Sequence, residues 1–208
     1  KDLILVDDFS RADKAPNWQS LQYQEQIDRR DLFDWLDQHQ AAVEVIFHMG
    51  ARTDTTEQDE QIFDELNLHY SQKLWQQCVA YELPLIYASS AATYGDGSGG
   101  YSDDESRLEE LQPLNLYAKS KQDFDLWAKA ESLLEEIVCL KYFNVYGPRQ
   151  RPDGPYAAVV PLFIQACRAG EPPTIHGDGR QSRDFTWVGD AVAANLLALG
   201  ASGARGDA

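Results

Sequence analysis

The feature that most constrains this chain is a rhythm. Four short apolar runs, Leu3-Ile4-Leu5-Val6, Val43 to His48, Leu85-Ile86-Tyr87-Ala88 and Ile137 to Tyr142, alternate with longer stretches of helical spacing at about 31–39, 57–82 and 115–135. Runs of this length and composition are β-type, and strand–helix–strand order predicts βαβ units. The expected fold is therefore α/β, a doubly wound parallel sheet with helices on both faces. Each run ends in small or polar residues: Asp7-Asp8, Met49-Gly50-Ala51, Ser89-Ser90 and Phe143-Asn144. In such sheets ligands bind beyond the carboxyl ends of the strands, so these are the positions where a site is expected.

With 208 residues, 43% of them hydrophobic, the chain can bury one sizeable core, with a folded surface expected at roughly 10,000 Å². A formal charge of −16 repels phosphate backbones and argues against nucleic acid as a partner. No apolar run approaches the ~20 residues of a membrane span, and no signal-peptide pattern opens the chain, so a cytoplasmic location is expected. Cys78, Cys139 and Cys167 are few and far apart and read as reduced core residues. His39, His48, His69 and His176 share no spacing with them, and no metal site is expected. A chain that starts at Lys1 and carries its one methionine at Met49 reads as a trimmed chain or a fragment.

After residue 150 the pattern changes. Gly147-Pro148-Arg149 and Pro152-Asp153-Gly154-Pro155 mark a turn-rich crossing, followed by a helix at about 157–169, a strand at Asp184 to Val188 and a helix from about 190. Two units are expected, 1–150 carrying the sheet and 151–208 beginning a smaller lobe.

Tyr117 and Lys121 form Y-x-x-x-K at the start of a helical stretch, a spacing that puts both side chains on one face. A free phenol titrates near pH ~10, so a tyrosine base near neutrality needs about 4 kcal/mol of differential stabilisation. A fixed ammonium one turn away is one source, and a cationic cofactor ring is another. The run Tyr87-Ala88-Ser89-Ser90-Ala91-Ala92-Thr93-Tyr94-Gly95 brings hydroxyls to the end of a buried strand, where one can bond a substrate hydroxyl on its way to a carbonyl. For Ser89 the plainer role of a strand-to-loop cap is preferred.

Taken with Tyr142-Phe143-Asn144-Val145-Tyr146-Gly147-Pro148-Arg149 and Arg183-Asp184-Phe185, these motifs resemble the extended short-chain dehydrogenases, the NAD-dependent epimerase/dehydratase family that acts on nucleotide sugars. Within it, Phe47 to Glu57 and the SSAATYG run are most like the ADP-L-glycero-D-manno-heptose 6-epimerase branch, while the stretch from Gly147 to Asp184 is more like the UDP-sugar 4-epimerases. The resemblance implies a Rossmann-like domain over 1–150 that binds NAD or NADP, part of a substrate-binding lobe over 151–208, and a homo-oligomer. It implies Tyr117 as proton acceptor and donor, Lys121 as its tuner and a holder of the nicotinamide ribose, and Ser90 as hydroxyl partner. Asp7 and Asp8 would face the adenosine ribose, with Met49, Gly50, Ala51, Asn67 and Tyr142 lining the cofactor. Asn144 and Arg183 would hold the diphosphate of the sugar nucleotide, a task that suits a guanidinium fork.

The sequence departs from the family in three places. The family's first strand and its glycine-rich phosphate loop have no counterpart, which implies a sheet without its central strand. Asp153 stands where the heptose epimerases carry a lysine, and reads as a turn residue before Gly154. The Asp7-Asp8 pair would repel a 2′-phosphate and slightly favours NAD, although Arg11 and Lys14 follow closely. A 4,6-dehydratase is disfavoured, since Ala91-Ala92 follow Ser90 where elimination would want an acid. The functional expectation is a nucleotide-sugar epimerase acting at the exocyclic heptose carbon, with a UDP-sugar 4-epimerase and a truncated, non-catalytic paralogue as the rivals. The acidic loop from Gly95 to Ser106 is either a lid over the sugar or a solvated connection.

Overall fold

The structure, a computed structural model, describes residues 2–134, 137–150 and 159–201. In chain order these form β1 (Ile4–Asp7), β2 (Glu25–Asp28), α1 (Leu32–His39), β3 (Ile46–His48), α2 (Glu60–Phe63), α3 (Tyr70–Ala80), β4 (Leu85–Ser90), α4 (Leu116–Ala130), β5 (Ile137–Tyr142), β6 (Val145–Tyr146), α5 (Val159–Ala169), β7 (Thr186–Trp187) and α6 (Val188–Gly200). A π-helical stretch, Asp64–His69, joins α2 to α3 without a break. All strand pairs are parallel: β1 with β2, β3 with β4, β4 with β5, and β6 with β7.

Alternation along the strands sorts the two faces. Leu85 and Tyr87 of β4 and Ile137 and Cys139 of β5 join Leu36, Leu74, Trp75, Phe124 and Ala128 in one core between sheet and helices α1, α3 and α4. The even-numbered residues point the other way. Tyr142 there meets α6, where its hydroxyl accepts from Asn195 Nδ2 at 2.5 Å. Helices thus cover both faces of the β3–β4–β5 ladder, and the polar ends of these three strands open on one rim.

The helix starts follow local chemistry. Asn115 caps α4 by accepting from the Ala118 amide at 2.9 Å, and Asp59 caps α2 by accepting from the Gln61 amide at 3.0 Å. The cap at Asn115 fixes where α4 begins, and so places Tyr117 in its first turn.

Several expectations need correction. β2 carries one buried apolar residue, Ile27, in the sequence Glu-Gln-Ile-Asp, too weak a pattern to be read as a strand. Val43 to Val45 do not join β3, because Val43 instead closes the 3-10 turn Gln40–Ala42. Cys167 is exposed, unlike the buried Cys78 and Cys139. The surface is 12945 Å², above the expected figure, because α5 and α6 leave apolar side chains such as Leu162, Leu196 and Leu197 exposed. Among the described residues the β1–β2 ladder makes no strand pairing with β3–β4–β5. Asp153 and the crossing around it lie outside the described residues.

Candidate active site

At the end of β4 the backbone of Ser90 is extended and then turns into the short helix Ala91–Tyr94. Ser90 Oγ accepts from the Ala92 amide at 3.1 Å, and Thr93 Oγ1 donates to the Ser90 carbonyl at 2.9 Å. The turn is closed by Gly95 at φ 64°, where an added Cβ would stand 2.0 Å from the Gln112 carbonyl oxygen. Across from Ser90 lies the half-buried phenol of Tyr117. Burial raises its pKa above the ordinary 10.0, and the hydrogen bond from the Ser90 hydroxyl opposes that rise.

Lys121 is 2% exposed. It donates to the Ala88 carbonyl at 2.8 Å and to the Tyr87 hydroxyl at 3.2 Å, with its Nζ 4.5 Å from the centre of the Tyr87 ring. Burial lowers its pKa to about 8, against the opposing pull of Asp125 and Cys139. Burial, the largest influence on the Tyr117 phenol, acts against the lowered pKa that a tyrosine base needs.

Asn67 sits in the π-helical stretch and is 1% exposed. Its Oδ1 accepts from the Arg52 amide at 2.8 Å, and its Nδ2 donates to the Arg52 carbonyl at 3.0 Å and to Ser120 Oγ at 2.9 Å. Ser120 Oγ in turn donates to the Tyr117 carbonyl at 2.8 Å. Both amide hydrogens of Asn67 are therefore spent on protein. The residue ties the loop after β3 to the first turn of α4, and the π-helical geometry, frequent at functional sites, is what aims it.

The residues proposed for the cofactor are spread over the strand-end rim. Met49 and Gly50 are exposed and Ala51 is half-buried. A Cβ added at Gly50 would meet nothing within 4 Å, so the rim above β3 is open space. Asp7 is half-buried, and its Oδ1 accepts from Lys14 Nζ at 2.6 Å and from the Asp8 amide at 2.7 Å. Asp8 Oδ1 accepts from the Ser10 hydroxyl and amide, and these bonds hold its pKa below the usual carboxylate value. Tyr142 faces α6 as described. Asn144 and Arg183 are both exposed; Asn144 Nδ2 donates to the Asp184 carbonyl at 2.9 Å, while Arg183 donates to the Ser182 carbonyl at 2.7 Å. Tyr117, Lys121 and Ser90 thus come together, Asn67 braces them, and Asn144 and Arg183 stand on neighbouring backbone.

Sequence reasoning overlooked the layer beneath the site: Ser120, Asp125, Lys141, Tyr87, Ser71 and His48. Asp125 was within reach, since a carboxylate four residues after Lys121 shares its helix face. Ser71 and His48 meet only through tertiary packing.

The chain was compared with known proteins. The model of the NAD dependent epimerase/dehydratase family matches residues 2–207. The ADP-L-glycero-D-manno-heptose-6-epimerase of Nitratidesulfovibrio vulgaris is 39% identical over 201 residues, covering 92% of this chain and 62% of that protein. The crystal structure of the Helicobacter pylori ADP-L-glycero-D-manno-heptose-6-epimerase superposes with a TM-score of 0.79 at 26% identity, over 96% of this chain and 65% of that one. UDP-glucuronic acid 4-epimerase from Bacillus cereus, in complex with UDP-glucuronic acid and NAD, gives 0.74 at 29% identity, over 98% and 67%. The chain therefore spans about three fifths of the length of the curated relative it matches. A family match over nearly all its residues, on a parallel sheet whose β4 rim joins Ser90 to the Tyr117 and Lys121 helix, makes this chain a member of the NAD dependent epimerase/dehydratase family.

Proposed function

We propose that this chain carries the acid–base centre of a nucleotide-sugar epimerase that works with bound NAD(P). The observation that carries this reading is the meeting of the Tyr117 phenol with the Ser90 hydroxyl at the end of β4, one helical turn from the buried Lys121 ammonium. The open rim at Met49 and Gly50 and the carboxylate of Asp7 fit a dinucleotide lying along the strand ends. When bound, NAD would supply a hydride acceptor that later returns the hydride.

Tyr117, as phenolate, would take the proton of a sugar hydroxyl while the carbon bearing it gives up hydride, leaving a ketone. Ser90 would hold the reacting oxygen throughout. After the ketone turns its other face, Tyr117 would return the proton to the oxygen as hydride returns to carbon, inverting the centre. Lys121 would hold the nicotinamide ribose. Asn144 and Arg183 would bind the diphosphate. In this reading 1–150 is the dinucleotide unit and 151–208 the start of the substrate lobe, and assembly as a homo-oligomer in the cytoplasm is carried by the family resemblance.

For substrate, the 39% identity to a protein named ADP-L-glycero-D-manno-heptose-6-epimerase favours inversion at the exocyclic heptose carbon. A UDP-sugar 4-epimerase is the second reading, favoured by the likeness to the B. cereus enzyme. NAD is preferred to NADP on account of Asp7 and Asp8, although Lys14 already neutralises part of that charge. The test incubates the cofactor-loaded protein with ADP-heptose and with UDP-sugars and follows the products by NMR. Turnover of ADP-heptose alone, cut about 10²–10⁴-fold by Tyr117→Phe, is the expected result. Turnover of UDP-sugars alone would favour the rival substrate, and no turnover of either would leave the non-catalytic paralogue.

A further inference from the structure

The face of α4 that carries Tyr117 repeats every fourth residue as Tyr117, Lys121 and Asp125, a stripe set by helical spacing. The last three residues of β4, Ala88, Ser89 and Ser90, lie against it. The Ala88 carbonyl accepts from Lys121 Nζ at 2.8 Å, and Ser89 Oγ donates to Asp125 Oδ2 at 2.7 Å. Both bonds are deep in the core, with Ser89 4%, Lys121 2% and Asp125 0% exposed.

Stability alone is a poor reason to keep a carboxylate here. Asp125 Oδ2 serves Ser89 and, at 3.6 Å, the ammonium of Lys141, which is the register partner of Ser89 on β5. The other oxygen, Oδ1, is buried and takes no hydrogen bond among the described residues. A buried carboxylate satisfied on one side only adds little over an apolar residue of its size, whereas a short charge-assisted bond fixes direction. Two such bonds to neighbouring residues of one strand leave α4 no freedom to slide along β4, and Lys141 holds the carboxylate from the side of β5. We propose that Ser89 and Asp125 are positioning residues, whose bond sets the register of α4 along β4 and so brings the Tyr117 phenol opposite Ser90. Its consequence for catalysis rests on the acid–base role given to Tyr117 and Ser90 above; the register itself does not.

The titratable groups packed around this stripe are Tyr87 on β4, Tyr94 in the turn after it, Cys139 and Lys141 on β5, and His48 on β3. Ser89→Ala keeps all of them. A change at Tyr117 then comes either from lost alignment with Ser90 or from the loosened Asp125 carboxylate, and a Ser90→Ala background separates the two.

The experiment is ¹⁹F NMR on protein labelled with 3-fluorotyrosine, whose phenol titrates at lower pH than tyrosine, with Tyr117 assigned through Tyr117→Phe. Ser89→Ala and Ser90→Ala are each expected to raise the Tyr117 midpoint by about half a unit, a roughly threefold change in proton affinity. The double variant is expected to raise it no further than Ser90→Ala alone, because residues that act through one another do not add. A midpoint unmoved in either single variant would overturn the proposal, and so would shifts that add in the double variant. In unaltered protein labelled with ¹³C-serine, the Ser89 hydroxyl proton is expected to exchange slowly enough to be seen on its own Cβ; its absence would overturn the proposal even where a variant fails to fold. In turnover, Ser89→Ala is expected to lower kcat about tenfold with KM within about twofold, as a misplaced reacting group does, and a raised KM at unchanged kcat would count against it. The midpoints and the hydroxyl proton need no substrate, so their failure is distinct from failure of the epimerase reading.

Discussion

Asp125 on α4 and Lys141 on β5 face each other in the core, with Oδ2 and Nζ 3.6 Å apart and side chains 0% and 7% exposed. Asp125 Oδ2 also accepts from Ser89 Oγ at 2.7 Å, which gives Ser89 its strand-end role. Removing one member of a buried pair leaves the other charge uncompensated, at a cost of about 3–5 kcal/mol. Asp125→Ala should therefore lower the urea midpoint sharply. Asp125→Leu combined with Lys141→Met should recover most of the loss, and a double variant no better than the single would refute the pairing.

Acid should weaken this protein through His48. Its folded pKa, about 3, lies below the ordinary 6.5, so between those values the unfolded chain binds more protons than the native one. The sign follows: this contribution to stability is present above pH 6.5 and is lost as pH falls toward 3. It is worth up to about 3–5 kcal/mol. Urea titrations of the unaltered protein and of His48→Gln across this range should converge toward the acid end; parallel curves would count against it.

Lys121 works in the alkaline window. Its folded pKa of about 8 lies below the ordinary 10.5, so native Lys121 sheds its proton first and stability should rise from about pH 8 toward 10. Lys121→Met should abolish that rise and, by removing the charge that helps hold His48 down, also shrink the acid limb, as thermal melts at a series of pH values would reveal.

Gly95 has two reasons to be glycine, its φ of 64° and the Gln112 carbonyl 2.0 Å from where a Cβ would go. Gly95→Ala is expected to cost about 1–3 kcal/mol, since backbone must shift to admit the methyl. Gly50→Ala, in open space, should be close to neutral by the same unfolding measurement.

How far the sequence could be read follows from which forces act locally. The strong apolar runs of β4 and β5 and the helix of Tyr117 were legible, because period and capping residues lie next to each other in the chain. β2 was not, since Glu25–Asp28 becomes a strand only by pairing with β1. The Tyr117–Lys121 pair was legible from its spacing, yet the aim of the ammonium was not. That aim depends on the Ala88 carbonyl, 33 positions away, and on the Tyr87 hydroxyl of the same strand. Asn67 was placed beside the cofactor, but its engagement with Arg52 and Ser120 depends on a π-helical turn that no periodicity announces.

The separation of the two ladders sets unequal lifetimes on their backbone protons. β1 and β2 bury Ile27 alone between them, whereas β4 and β5 carry Leu85, Tyr87, Ile137 and Cys139 in the core. Arg149 reaches back to the Asn17 carbonyl and Ser20 Oγ, an exposed clasp on the segment between β1 and β2. In deuterated water the amides of Ile4 to Asp7 should therefore exchange through local opening long before those of β4, so that the end of the sheet holding Asp7 behaves as its own unit of cooperativity.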